Sequence, residues 1–152
     1  MAEEFDDSFK ELEQSVLDDM RKVYSETTID HFLNPRNLAS IAAPDGFGKI
    51  TGPCGDTMEI RLRVKDGRVL HTSFWTDGCG PSIASGSMVT ELAKGKSVSE
   101  AQKITQQQVL DALGGLPEES LHCALLAADT LKRAIKDYLA SKKEPWKRAY
   151  KR

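Results

Sequence analysis

Phe5, Phe9, Leu12, Val16, Met20 and Val23 recur at steps of three and four. That spacing places them along one side of a helix and predicts an amphipathic helix over residues ~4–23. Its apolar stripe needs cover from the rest of the domain, a second subunit or a partner protein, and the sequence does not choose among them. A shorter helix follows from Ser25, a good N-cap, and stops at the breaker Asn34-Pro35-Arg36-Asn37. Pro44, Gly46, Gly48, Gly52, Pro53 and Gly55 then crowd one stretch. They predict a short strand over Gly48–Thr51 and a mobile loop carrying Cys54 and Asp56.

The period then changes to two. Met58, Ile60, Leu62 and Val64 alternate with Glu59, Arg61, Arg63 and Lys65, the signature of a strand with one covered face. Asp66-Gly67 predicts a two-residue hairpin turn. The return strand runs from Arg68 to about Thr76, with Leu70, Thr72, Phe74 and Thr76 expected on one face. Pro81 in a first-turn position opens a helix that ends at Gly95. Ser97 with Glu100, and Thr105 with Gln108, have capping-box spacing, and Gly114-Gly115 stops the second of these short helices. A long last helix begins near Pro117, carries Leu121, Leu125, Ala128, Leu131, Ile135 and Leu139 as one stripe, and ends at Pro145. The expected class is α+β: a small three-stranded antiparallel sheet covered by helices, with an extra N-terminal amphipathic helix. Residues 1–23 read as an acidic helical extension, 24–141 as the folded domain and 142–152 as a basic tail.

At 152 residues the chain suits one domain with a real core. No apolar run nears the roughly 20 residues of a membrane helix, and the acidic N-terminus resembles neither a signal nor a transit peptide. A cytoplasmic protein is expected. Three cysteines, an odd number, argue against a disulfide framework and for a reducing compartment. A net charge of −2 gives no electrostatic case for nucleic acid. The charge is nonetheless uneven, acidic over the first twenty residues and basic from Lys142 to Arg152. Solvated ends explain that pattern, and so does a docking surface for proteins.

The cysteines stand at element boundaries: Cys54 in Gly-Pro-Cys-Gly-Asp, Cys79 in Asp-Gly-Cys-Gly-Pro, and Cys123 directly after His122. A thiol at the N-terminus of a helix meets the positive end of the helix dipole and free N–H groups, which favour its thiolate. Cys79 holds that place, although a small buried hydrophobe in a turn accounts for it too. Slim neighbours from Ser82 to Ser87 suit either a ligand or close helix–sheet packing. Cys54 and Asp56, two apart in an extended loop, project to the same side. A carboxylate beside a thiolate makes an exchangeable site rather than a closed one, because oxygen binds iron less tightly than sulfur does. Asp56 also fits an Asx-type turn. His122 and Cys123 point about 100° apart on a helix and can border one site; His31 and His71 read as structural. Three sulfurs, one oxygen and one nitrogen suit iron–sulfur chemistry or zinc. Hydrolysis is disfavoured because His122 is badly placed to serve its neighbour as a base. There are no Cys-x-x-Cys knuckles and no Walker or Rossmann glycine loop.

The order Tyr24-Ser25-Glu26, Ile29-Asp30-His31, Asn34-Pro35-Arg36-Asn37, Cys54-Gly55-Asp56, Gly78-Cys79-Gly80, Ile83-Ala84-Ser85, Lys94-Gly95-Lys96-Ser97, Glu100-Ala101-Gln102 and His122-Cys123 resembles the IscU/NifU N-terminal family of iron–sulfur cluster scaffolds. The resemblance covers about residues 24–140. It implies a non-enzymatic scaffold that takes sulfur from a cysteine desulfurase of the IscS/NifS type, adds iron, and passes a labile cluster to apo iron–sulfur acceptor proteins. It also implies that Cys54, Cys79 and Cys123 are cluster ligands, with Asp56 or His122 near the fourth position and Cys123 the persulfide acceptor. The implied cargo is a [2Fe–2S] or [4Fe–4S] cluster, with zinc in cluster-free protein. A ferredoxin and a frataxin-like protein join the implied partners, and both a monomer and a homodimer remain open. The uninserted Cys79–Cys123 interval and His122 resemble the IscU type rather than the SufU type. Two departures stand out. Leu116-Pro117-Glu118-Glu119-Ser120 replaces the family's Leu-Pro-Pro-Val-Lys handle, which counts against an HscA-type chaperone. The acidic helix before Tyr24 lies outside the common core; shielding of the site, dimerisation and a plain solvated extension are its candidate roles. A zinc-held sulfur relay and a structural zinc module are the rival readings.

Overall fold

Alternation over residues 57–65 produces what it predicts: Met58, Ile60 and Leu62 are fully buried, while Arg63 and Lys65 face solvent. The computed structural model describes residues 2–144. The Pro145 helix stop and most of the basic tail fall outside the described residues. Within them run α1 (Ala2–Arg21), α2 (Glu26–Leu33), β1 (Gly46–Thr51), β2 (Thr57–Lys65), β3 (Arg68–Thr76), α3 (Gly80–Ala93), α4 (Val98–Gln102), α5 (Gln106–Leu113), a 3₁₀ turn at Glu118–Ser120 and α6 (Leu121–Lys143). The strands form one antiparallel sheet in the order β1-β2-β3, with α6 against β1 and β2 and α3 against β3. The class is α+β, as expected.

Local chemistry accounts for most of the boundaries. Ser25 caps α2 by accepting from Thr28 N at 3.0 Å. Thr105 and Gln108 complete a reciprocal capping box on α5. Ser97 caps α4, but the Glu100 carboxylate accepts from the Ser97 hydroxyl at 2.9 Å, so that box is half made. Asp66 (φ 54°) and Gly67 (φ 75°) both take the left-handed backbone that a tight hairpin needs.

Three expectations are corrected. β1 begins at Gly46, two residues early, because β2 continues to pair with it as far as Leu62. Leu70 does not join the inner face of β3; it is 47 % exposed and Val69 is buried in its place. The register jumps from Arg63↔His71 to Val64↔Val69, leaving Leu70 as the extra residue of a bulge that reverses the alternation. Leu125 is likewise 44 % exposed. The buried arc of α6 centres on Ala124, Ala127, Leu131 and Ala134, and at 100° per residue Leu125 falls outside it.

β1 and α6 meet backbone to backbone. A Cβ at Gly46 would stand 2.5 Å from Ala134 O, and one at Gly48 would stand 2.6 Å from Thr130 O and from Ala134 N. Glycine at both positions lets the helix lie directly on the strand. α1 behaves differently: Phe5, Phe9, Leu12 and Val16 along its apolar stripe are all more than half exposed. The stripe from Phe5 to Val16 therefore finds no cover in its own domain among the described residues, whereas Met20 at its end is half-buried beside Tyr24, Ile29 and Phe32.

Candidate functional site

The site forms where three segment ends converge: the loop before β2, the N-terminus of α3 and the N-terminus of α6. Asp77, just after β3, holds two of them together. Its Oδ1 accepts from Thr57 N at 2.8 Å while Thr76 Oγ1 donates to Thr57 O at 2.8 Å. The start of β2 is thereby tied to the end of β3, and Asp56 is brought beside Gly78 and Cys79. A Cβ at Gly78 would meet Ser82 Oγ at 2.6 Å and Asp56 Oδ2 at 3.1 Å, so only glycine leaves room for that approach.

Ligand atoms of Asp56, His122 and Cys123 lie within 4.8 Å of one another. His122 Nε2 is 3.6 Å from Cys123 Sγ. Adjacent helical side chains diverge, yet in the first turn of α6 the ligand atoms of both border the same space. Cys79 is the N-cap of α3 with no side-chain capping bond, and its thiol is exposed. Its sulfur is nevertheless near enough to Cys123 to act on that thiol. Cys54 is exposed at the loop tip, beside the left-handed Gly55, and stays outside the three-residue group.

Cys123 is buried, and removal from water pushes its thiol up to about 11. A hydrogen bond from Ser82 pulls it down, and the nearby Cys79 side chain and Asp56 carboxylate push it up again. The resting site thus holds Cys123 as a thiol beside a carboxylate and an imidazole. One sulfur, one nitrogen and a carboxylate form a borderline donor set suited to zinc or iron, and the neighbouring Cys79 adds a second sulfur.

Two contributors escaped the sequence reading. Ser82 Oγ lies 3.3 Å from both Asp56 Oδ2 and Cys123 Sγ. Its signal was a serine three residues after the helix-capping Cys79, the spacing that returns a side chain to the same helix face. Asp77 carried no comparable signal, because its partner Thr57 belongs to another strand. His31 is buried with Nδ1 2.7 Å from Ser87 Oγ, and burial lowers its pKa, so it is a neutral structural residue; His71 is exposed on β3.

Comparison with known proteins bears on the whole of this region. The NifU-like N-terminal domain family matches residues 23–145. The Archaeoglobus fulgidus iron–sulfur cluster assembly scaffold protein IscU 1 is 52% identical over 117 residues, 76% of this chain and 76% of that protein. The Escherichia coli (strain K12) scaffold protein IscU is 45% identical over 126 residues, 80% of this chain and 97% of that protein. The crystal structure of a nitrogen-fixing NifU-like protein (N-terminal) from Brucella abortus shares the fold, with a TM-score of 0.62 and 18% identity over 80% of this chain and 97% of that one.

Proposed function

The chain belongs to the family of NifU-like N-terminal domains, and on that premise we propose that it is a scaffold on which iron–sulfur clusters are assembled and then handed on. The observation that carries the reading is the gathering of Asp56, His122 and Cys123 within 4.8 Å, with Cys79 adjoining. Cys54, Cys79 and Cys123 supply sulfur ligands, and Asp56 or His122 takes the remaining position. One chain then meets the four positions of a [2Fe–2S] cluster. Cys54 reaches the group only if its loop closes, and the glycines on both sides of it allow that movement.

Sulfur arrives as the persulfide of a cysteine desulfurase. Once uncovered, Cys123 gives its proton to water and its thiolate attacks the terminal sulfur; the donor's S–S bond breaks, and the donor leaves as its own thiolate while Cys123 keeps the sulfane sulfur. Two electrons from a ferredoxin-type reductant convert that sulfur to sulfide. Burial of Cys123 means the donor must uncover it first. Asp56 supplies the weak link: a carboxylate oxygen exchanges from iron more readily than a thiolate, so an acceptor protein's cysteines can displace it. Nothing is turned over catalytically, and the cluster is cargo. Three free thiols suit a reducing compartment such as the cytoplasm. No helix among the described residues is long and apolar enough to cross a membrane.

Anaerobic reconstitution with ferrous iron, cysteine and a cysteine desulfurase tests the reading. Sulfide-to-iron charge-transfer bands are expected, and each of Cys54→Ser, Cys79→Ser and Cys123→Ser should abolish or weaken them. Absent bands, with retained zinc and a persulfide on Cys123, would turn the assignment into a sulfur relay.

A further inference from the structure

Ser82 is fully buried in the first turn of α3, yet its hydroxyl touches two of the groups assigned to the metal. Oγ stands 3.3 Å from Asp56 Oδ2 and 3.3 Å from Cys123 Sγ. A hydroxyl has one proton and can donate it to only one of them at a time. The other contact must run the opposite way or go unmade. The hydroxyl is therefore shared between carboxylate and sulfur, and a displacement of either one alters the contact with the other.

We propose that Ser82 is a positioning residue that couples Asp56 to Cys123. Its buried hydroxyl, 3.3 Å from each, orients the carboxylate oxygen and the sulfur toward one space, so the placing of either ligand depends on the other through a single side chain. The inference rests on the scaffold reading above.

Two further observations support it. The notch at Gly78, which a Cβ would fill, exists where Ser82 and Asp56 approach each other. Pro81, the preceding residue, fixes the first turn and with it the direction of Ser82.

Cobalt(II) alone, added to cluster-free protein under nitrogen, provides the test, because thiolate-to-cobalt charge transfer reports sulfur ligation directly. Ser82→Ala should weaken cobalt binding by about 10- to 100-fold, the range typical for loss of a hydrogen-bond partner behind a metal ligand. The near-ultraviolet charge-transfer band should also shift, which a purely packing role would not cause. In an Asp56→Asn background the loss from Ser82→Ala should differ by about threefold or more from its value with Asp56 present, as coupled neighbours do. A thermal melt of each variant verifies that it is folded. Binding and band unchanged in a folded Ser82→Ala protein, or equal losses in both backgrounds, overturn the coupling while the scaffold reading stands. No charge-transfer band in the unmutated protein overturns both.

Discussion

Gly48→Ala tests whether the contact between β1 and α6 sets the site. The new Cβ would lie 2.6 Å from Thr130 O and 2.6 Å from Ala134 N, against 3.4 Å for ordinary contact. Both obstacles are backbone atoms of one helix, so no side chain can rotate away. The helix must retreat by roughly 0.8 Å to restore normal separation, giving up dispersion contacts along the interface. Overpacking of this kind costs about 1–3 kcal/mol. For a chain of this size that corresponds to a fall in Tm of about 3–10 °C. α6 carries His122 and Cys123 at its N-terminus, whereas Asp56 belongs to the sheet side. The same retreat should therefore also weaken cobalt binding. Differential scanning calorimetry and a cobalt titration measure the two effects. Lys49→Ala, at an exposed neighbour, is the control and should change stability by no more than about 0.5 kcal/mol. A Gly48→Ala protein that melted within about 1 °C of the unmutated one would refute the rigid backbone-to-backbone contact.

Other outcomes follow from the same geometry. With its thiol pushed up to about 11, Cys123 should be roughly 100-fold less ionised at pH 8 than an ordinary thiol near 9. Iodoacetamide mapping by mass spectrometry should find Cys54 and Cys79 modified first, and early modification of Cys123 would contradict its burial. The unfolded thiol ionises before the folded one, so the Cys123 contribution to stability is complete below about pH 9 and is lost as pH rises towards 11. Melts across that window should show a fall that Cys123→Ser flattens. Asp56→Ala should hold a reconstituted cluster longer in transfer to an acceptor, and an unchanged release rate would remove the exchangeable role from that carboxylate. Deletion of residues 1–21 should leave Tm within about 3 °C, since the α1 stripe is open and its Arg21–Glu26 ion pair is exposed. A much larger fall would mean that the stripe is covered in solution.

Legibility tracked the range of the interaction involved. Ser25, the Thr105–Gln108 box and the Asp66-Gly67 turn were readable because each device closes within four residues. The inward set Met58, Ile60 and Leu62 was readable because side chains alternate along any strand. Leu70 was misread because a bulge is a disagreement between two strands, and one strand's pattern does not contain it. Leu125 was misread because the buried arc of α6 is chosen by what packs on it. Asp77 and Ser82 went unseen as members of the site because their partners lie 20, 26 and 41 residues away.

By itself, then, the sequence determined the residue types that can do the chemistry, the turns and caps that place them at element ends, and the α+β class. Backbone preference and side-chain periodicity act locally and are written in consecutive residues. Only the tertiary structure decided which of those ends meet. It brought Asp56, His122 and Cys123 together with Cys79 beside them, left Cys54 on the outer loop, buried one thiol while exposing two, and set a serine hydroxyl between carboxylate and sulfur. Those decisions come from the packing of α6 on β1 and of α3 on β3, where exclusion of water and the room left by glycine are properties of pairs of surfaces rather than of any one segment.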